Sequence, residues 1–359
     1  MPSSSWIKRL APAAGCLAVA LVSTAVARVE PQEPDGVTDR MARAARSMLA
    51  ALPAKLSGEA RTLHGDPERT QWAFGPVQRE GLAIGALNEG QVEALEALLD
   101  TALSDKGMTM WRQVRQLETE LRRLESTPEK IATHRDPDLY WLRVYGEPDP
   151  EQRWSWRFEG HHLALHVDCR PGRTPSVTPF FVGARPVLQG SLPDGISPAA
   201  PTPEGDRPAG SESGVPAATV DVFGALNRGY RSALESGGSA LPESERPRPR
   251  DIQMGPGHDA LPAEDGVRFA DLQPEARASV AALLTTYLEL LEEPLRVPYA
   301  FDPQRANAVR FMRWGAGALD GPRAWTLLTP RFALELFTTE GPDHVHAVLR
   351  DIDRDFGGK

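Results

Sequence analysis

Two blocks of strand-forming sequence lie on either side of a segment with the composition of neither helix nor strand, and this most limits how the chain can fold. Tyr140–Tyr145 and Arg153–Asp168 are rich in aromatic, β-branched and other apolar residues, and Gly-Glu-Pro and Arg-Pro-Gly turns bound them. The same texture returns at Ala324–Leu328 and Arg331–Phe337, parted by Thr329-Pro330, and after a short polar turn at His344–Arg350. Between the blocks, from about Pro186 to Thr219, proline, glycine, serine and alanine dominate, as in a surface excursion rather than a core element. The fold expected is α+β: an antiparallel sheet built from N- and C-terminal segments of the chain, with packed helices.

Helical periodicity supplies the other layer. Met41, Ala44, Ala45, Met48 and Leu49 recur at helical spacing within Asp39–Ala54, and Trp111, Val114, Leu117 and Leu121 line one stripe of Thr109–Leu124. Asn88 can cap a helix over Asn88–Leu103, and Ser104-Asp105-Lys106-Gly107 then reads as the turn of an αα-hairpin. Val222–Leu234 and Pro274–Leu291 are two further helices, the second with Pro274 in its first turn and an apolar face of Val280, Leu283, Leu284, Tyr287 and Leu288. At 359 residues the chain can bury a sizeable core, and a single domain over residues 38–357, carrying the excursion at about 186–219, accounts for the pattern.

The first 27 residues read as a secretory signal peptide. Lys8 and Arg9 precede a small, apolar run from Leu10 to Val22, and Ala25-Val26-Ala27 offers a cleavage site. The run is short for a membrane span, so the expectation is export to the periplasm or the extracellular space, with an irregular mature terminus over 28–37. Cys16 follows Gly15 and invites a lipoprotein reading, but most of the apolar run lies after it. Cleavage would leave Cys169 alone, so a core rather than a disulfide must hold the exported chain. The formal charge of −9 becomes −11 once Lys8 and Arg9 leave with the leader, and no basic stripe offsets it. That balance argues against nucleic acid and anionic membrane as partners.

Four of the eight histidines fall in two tight groups, Glu159-Gly160-His161-His162 and His344-Val345-His346. Alternation on a strand puts His344 and His346 on one face, roughly 6–7 Å apart at their β-carbons, where two imidazoles can converge on one ion. On a strand running through residue 160, His161 and His162 would point to opposite faces, so only one of them, His162, is expected as the third ligand. Gly160 allows a break that would change this. His161 and Glu159 are then candidate proton acceptors, and Arg157 and Arg350 candidate anchors for an anionic substrate. Glu335, Asp351 and Asp355 are carboxylates that could orient a ligand or serve the site; an acid within Phe-Ala-Leu-Glu-Leu-Phe must either face solvent or be paired. An all-nitrogen set suits zinc, the favoured ion, and also copper or iron.

Gln71-Trp72-Ala73-Phe74, Arg79-Glu80-Gly81-Leu82, Trp156 through Leu163, Thr178 through Ala184, and the tail from His344 through Arg350-Asp351 to Gly357 together resemble the DUF3500 family over roughly residues 38 to 357. The resemblance marks Trp156, Glu159, His161, His162, His344, His346, Arg350, Asp351 and Gly357. It implies that both histidine groups belong to one feature and supplies no activity. The function expected is that of an exported metal-dependent enzyme, a hydrolase of a small organic or peptide-like substrate. The alternatives are a copper or iron oxidoreductase and a non-catalytic metal- or ligand-binding protein.

Overall fold

The computed structural model describes residues 36–124, 135–185, 220–245, 265–315, 323–339 and 344–358; the expected signal peptide and the excursion at 186–219 lie outside them. Seven α-helices and eleven strands fall within these residues. In chain order they are α1 (Val37–Ala50), α2 (Ala54–Ala60), β1 (Arg61–Thr62), β2 (Leu82–Ala83), α3 (Glu89–Leu99), α4 (Asp105–Leu124), β3 (Tyr140–Tyr145), β4 (Trp154–Gly160), β5 (Leu163–Cys169), β6 (Phe180–Ala184), α5 (Asp221–Gly237), β7 (Val267–Arg268), α6 (Pro274–Leu288), α7 (Glu293–Arg296), β8 (Arg310–Trp314), β9 (Ala324–Leu328), β10 (Phe332–Thr338) and β11 (Val345–Asp351).

All the strands join one sheet in the order β1-β3-β4-β5-β6-β11-β10-β9-β8-β7, with β2 also on β3. Every pairing is antiparallel except β1 with β3. The fold is therefore α+β, and the N- and C-terminal segments meet where β6 pairs with β11. No helix among the described residues is long and apolar enough to cross a membrane.

Alternation divides the sheet into two faces. Trp156 and Phe158 of β4, Leu163 and Leu165 of β5, Val182 of β6, Leu334 of β10 and Ala347 of β11 join the helices in the main core. Trp111 of α4 packs edge-on against Tyr140 and Phe158, with ring centroids 4.7 and 4.9 Å apart. The opposite face carries a smaller apolar cluster that includes Phe181, Val348, Ala333 and Phe337, covered by Trp72 and Phe74 and by Phe356 near the C-terminus. Cys169 is buried at the end of β5, facing Met41 of α1.

Two local expectations change. Asn88 and Gln91 form the reciprocal cap that starts α3, each side chain accepting from the other's backbone N–H at 3.0 Å. That helix packs mainly on α1 and meets α4 through the Arg112–Glu96 ion pair at 2.7 Å, and α4 begins at Asp105, inside the expected turn. The second change bears on the site. The segment Arg153–Asp168 is two strands, with Gly160 opposite Leu163, so His161 and His162 are the two loop residues of a tight hairpin. His162 has φ +63°, the left-handed backbone such a turn demands, so strand alternation does not apply to the pair.

Candidate metal centre

The hairpin turn is held from both sides. His162 N–H donates to the Phe74 carbonyl at 3.0 Å, and its own carbonyl accepts from Gly183 N–H at 2.8 Å. The Tyr140 hydroxyl donates to the His161 carbonyl at 2.9 Å, and its ring lies where a β-carbon on residue 160 would stand, which is why that position is glycine. Arg79 completes the frame. Its buried guanidinium donates to the carbonyls of Ala73, Gly75, Val77 and Gly160 at 2.5–3.0 Å and to Glu159 at 3.1 Å, so the loop that carries Phe74 is tied to the hairpin end.

Against this turn lies the start of β11. His346 pairs with Gly183 across the β6–β11 seam, and His344, just before the strand, shares its face. The Nε2 atoms of His162 and His344 are 2.9 Å apart, and those of His344 and His346 are 3.0 Å apart. His162 and His344 are thus in contact across 182 residues of chain. All three side chains are buried. Their rings are inclined to one another by 59–84°, and one ligand nitrogen from each lies within 4.8 Å of the others.

A cation can accept all three lone pairs at once. Shared protons satisfy them less well, because His344 Nε2 carries either one N–H or one lone pair and so cannot make a full hydrogen bond to both of the others. Tetrahedral zinc with bonds of about 2.0–2.1 Å separates its ligand nitrogens by about 3.3 Å, only a few tenths wider than these gaps. The residues present fit the ion.

Glu118, His161 and His162 also bring three donor atoms within 4.8 Å of one another. Ring geometry separates the two sets. His161 and His162 stack face to face, with centroids 3.7 Å apart and planes 27° apart, so their in-plane lone pairs run side by side and cannot meet at one ion. His161 is instead paired with Glu118, whose carboxylate lies 2.5 Å from Nδ1. Arg135 Nη1 is 3.1 and 3.2 Å from the two ring nitrogens. A group equidistant from both nitrogens at that range cannot lie in the ring plane without colliding with the carbon between them, so it sits over the ring face.

Burial, with Arg135 and then His344 and His346 adding to it, holds the His161 imidazole well below its ordinary value. Burial does the same for His162, reinforced by His161, His346 and His344. Both rings are therefore neutral at pH 7, as ligands and proton acceptors must be. With Nδ1–H donated to Glu118, His161 keeps its lone pair on Nε2.

The other residues marked in the sequence fall elsewhere. Glu159 is buried in its own network, with Oε1 2.9 Å from His166 and 3.4 Å from Arg157 and Oε2 on Arg79. Burial pushes its carboxyl up, but His166, Arg157 and Arg79 more than offset that and hold it below the ordinary range. Arg157 binds Glu68 and the carbonyls of Gln71 and Glu80, which makes it a tie for the loop beneath.

Arg350 donates to Asp355 at 2.5 Å and lies over the Trp72 ring; it is four residues along β11 from His346, about 13 Å. Asp351 faces away, near Arg331, and accepts the N–H groups of Asp353 and Arg354. Glu335 is buried on the histidine face opposite Val348, between the rungs of His346 and Arg350.

No sequence motif marks Glu118 or Arg135 as part of the site. One signal was present: Glu118 stands four residues after Val114, on the apolar stripe of its helix, where an acid is buried and needs a partner.

A family model described as a protein of unknown function, DUF3500, matches residues 35–358. The chain belongs to the DUF3500 family. No curated protein and no solved structure matches this DUF3500 chain, so the reading of the site stands on its own geometry.

Two outcomes test this geometry. A β-carbon on residue 183 would stand 2.6 Å from His162 Cδ2 and 3.0 Å from His346 Cδ2, and no positive φ is needed there. Gly183→Ala should therefore force the two imidazoles apart at a cost of about 1–3 kcal/mol, read as weaker zinc affinity in a chelator competition with the far-UV spectrum unchanged.

The second test concerns Glu335. Burial pushes its carboxyl up to about 7 despite Arg350, with Asp355 adding to the rise. The folded state then holds a proton that the unfolded state releases above about 4.5. This contribution is complete at lower pH and is lost as pH rises to about 7. Glu335→Gln should gain stability over wild type across that window, approaching a few kcal/mol at pH 8 and little at pH 4.5, in urea titrations at the two pH values.

Proposed function

We propose that this DUF3500 protein is an exported metal-binding protein with a metal-dependent hydrolytic activity on a small organic or peptide-like substrate. The observation that carries the reading is the convergence of the His162, His344 and His346 Nε2 atoms, at 2.9 and 3.0 Å, in a buried place reached from two ends of the chain. Three imidazoles leave a fourth position open, the arrangement typical of catalytic rather than structural zinc, and zinc so held supplies acidified water near neutral pH.

The protein's own contribution is the pair beside the ligands. Glu118 fixes the His161 tautomer and orients its ring, leaving Nε2 to take a proton next to the His162 ligand. Phe74 and Phe181 stack on each other 4.5 Å apart and pack on His346, which keeps solvent from that side of the ligand. Glu159, with its carboxylate already shared among Arg79, Arg157 and His166, is a support for the hairpin and not the proton acceptor.

Elemental analysis of protein purified without an affinity tag is the direct test, with His162→Ala and His344→Ala beside it. The expected result is one zinc per chain in the wild type. Each variant should lose affinity by more than the roughly 10–100-fold that removing a ligand's hydrogen-bond partner costs. Copper or iron in place of zinc would move the activity to oxygen chemistry on the same three nitrogens. A wild type that takes up none of these metals, even after reconstitution, would sink the reading.

A further inference from the structure

Apart from the two-residue β1, the sheet reads alike from either edge. β2-β3-β4-β5-β6 run inward from one side and β7-β8-β9-β10-β11 from the other, and β6 and β11 meet at the middle. Helix packing repeats too, α1 on α3 and α5 on α6.

The register agrees residue by residue. A shift of 185 carries Val37, Arg46, Ser47 and Leu49 onto Val222, Arg231, Ser232 and Leu234, and Gly81, Leu87, Leu98 and Leu99 onto Gly266, Leu272, Leu283 and Leu284. From β3 onward the shift is 169, which carries Gly146 onto Gly315, Trp156 onto Trp325, and the whole of β5, Leu163–Cys169, onto β10, Phe332–Thr338. Cross-strand partners follow: Leu82 opposite Leu142 recurs as Val267 opposite Phe311, and Phe158 opposite Leu165 recurs as Leu327 opposite Leu334.

Backbone geometry agrees as well. Gly81 and Gly266 both have positive φ, and a β-carbon on either would meet the carbonyl oxygen of the equivalent partner, Leu142 at 2.6 Å or Phe311 at 2.7 Å.

We propose that the chain is a tandem duplication of one αβ repeat, and that a metal ion on His162, His344 and His346 is the clasp that joins the two repeats. The second clause rests on the metal reading above. His162 belongs to the hairpin of the first repeat, whereas His346 lies in the last strand of the second and His344 just before it. The ligands thus come from opposite sides of the β6–β11 seam, which His346 and Gly183 share. The equivalents of His161 and His162 are Pro330 and Arg331, and those of His344 and His346 are Pro175 and Val177, so the symmetry-related place lacks ligands and one ion is expected per chain.

An ion bound only when the repeats are docked stabilises the docked state through linkage, so it should couple the opening of the two halves. Hydrogen exchange on the full chain, followed by mass spectrometry with and without zinc, tests this. Without zinc, peptides of α1–β5 and of α5–β10 should open with two different stabilities. With zinc at about 100 times its Kd, exchange in both sets should slow by up to about 100-fold and converge.

His162→Asn, whose side chain tolerates the left-handed backbone at that turn, should fold but show no zinc response. Protection confined to the hairpin turn and the start of β11, with zinc still bound by the three histidines, would overturn the clasp and leave the metal site standing. A single shared opening stability in the zinc-free chain would overturn it as well. No zinc binding at all would remove both.

Discussion

The antiparallel contact between β6 and β11 is the interaction on which the rest of the structure depends. It joins segments more than 160 residues apart into one continuous sheet, and it sets His346 directly opposite Gly183. Because residue 183 has no side chain, the space above it is filled by imidazoles, His162 from one neighbour and His346 from the other. A slip of one residue along this seam would turn His346 into the helix-packed core and face Ala347 toward the turn. The whole apolar face of β11, Val345, Ala347 and Leu349, opposes such a slip.

Around that seam, buried charge is arranged in separate groups in which each carboxylate has a basic partner. Arg79, Arg157, Glu159, Glu68 and His166 tie the loop carrying Phe74 to the end of the hairpin. Asp168, approached by Arg69, Arg153 and Arg170, fastens the C-terminal turn whose glycine backbone packs on its carboxylate. Removing one partner from such a buried group strands the others, so these residues act as supports whose substitution affects stability first. Glu118, His161 and Arg135 form a third group, distinguished by direct stacking on a histidine that faces the ligand cluster.

How much of this was legible in the sequence follows from the range of the forces involved. Strand and helix texture is local: β3, β9, β10, β11 and α6 come within a few residues of their expected bounds, and alternation alone placed His344 and His346 on one face. The break between β4 and β5 was harder to read, because Gly160-His161-His162 lacks the Asn-Gly or Gly-Gly signal of a two-residue turn and puts a histidine at positive φ. The packing of Phe74, Tyr140 and Gly183 on the turn accounts for that conformation. The duplication was masked for a different reason. Few side chains are identical between the repeats, and the shift changes from 185 to 169 between the helices and the strands, where the first repeat carries the long helix α4 and the second only the short α7.

The sequence by itself determined the α+β class, the family and the two histidine groups, because composition, periodicity and motif order are properties of neighbouring residues. Tertiary structure alone decided which residues work together. It separated Glu159, Arg157, Arg350, Asp351 and Asp355 from the ligands, set His161 in a stack that cannot share an ion with His162, and brought in Glu118 and Arg135 from a helix and a loop remote in the chain. The physical reason is that convergence of lone pairs and burial of charge depend on distances of about 3 Å between atoms whose separation along the chain carries no such information.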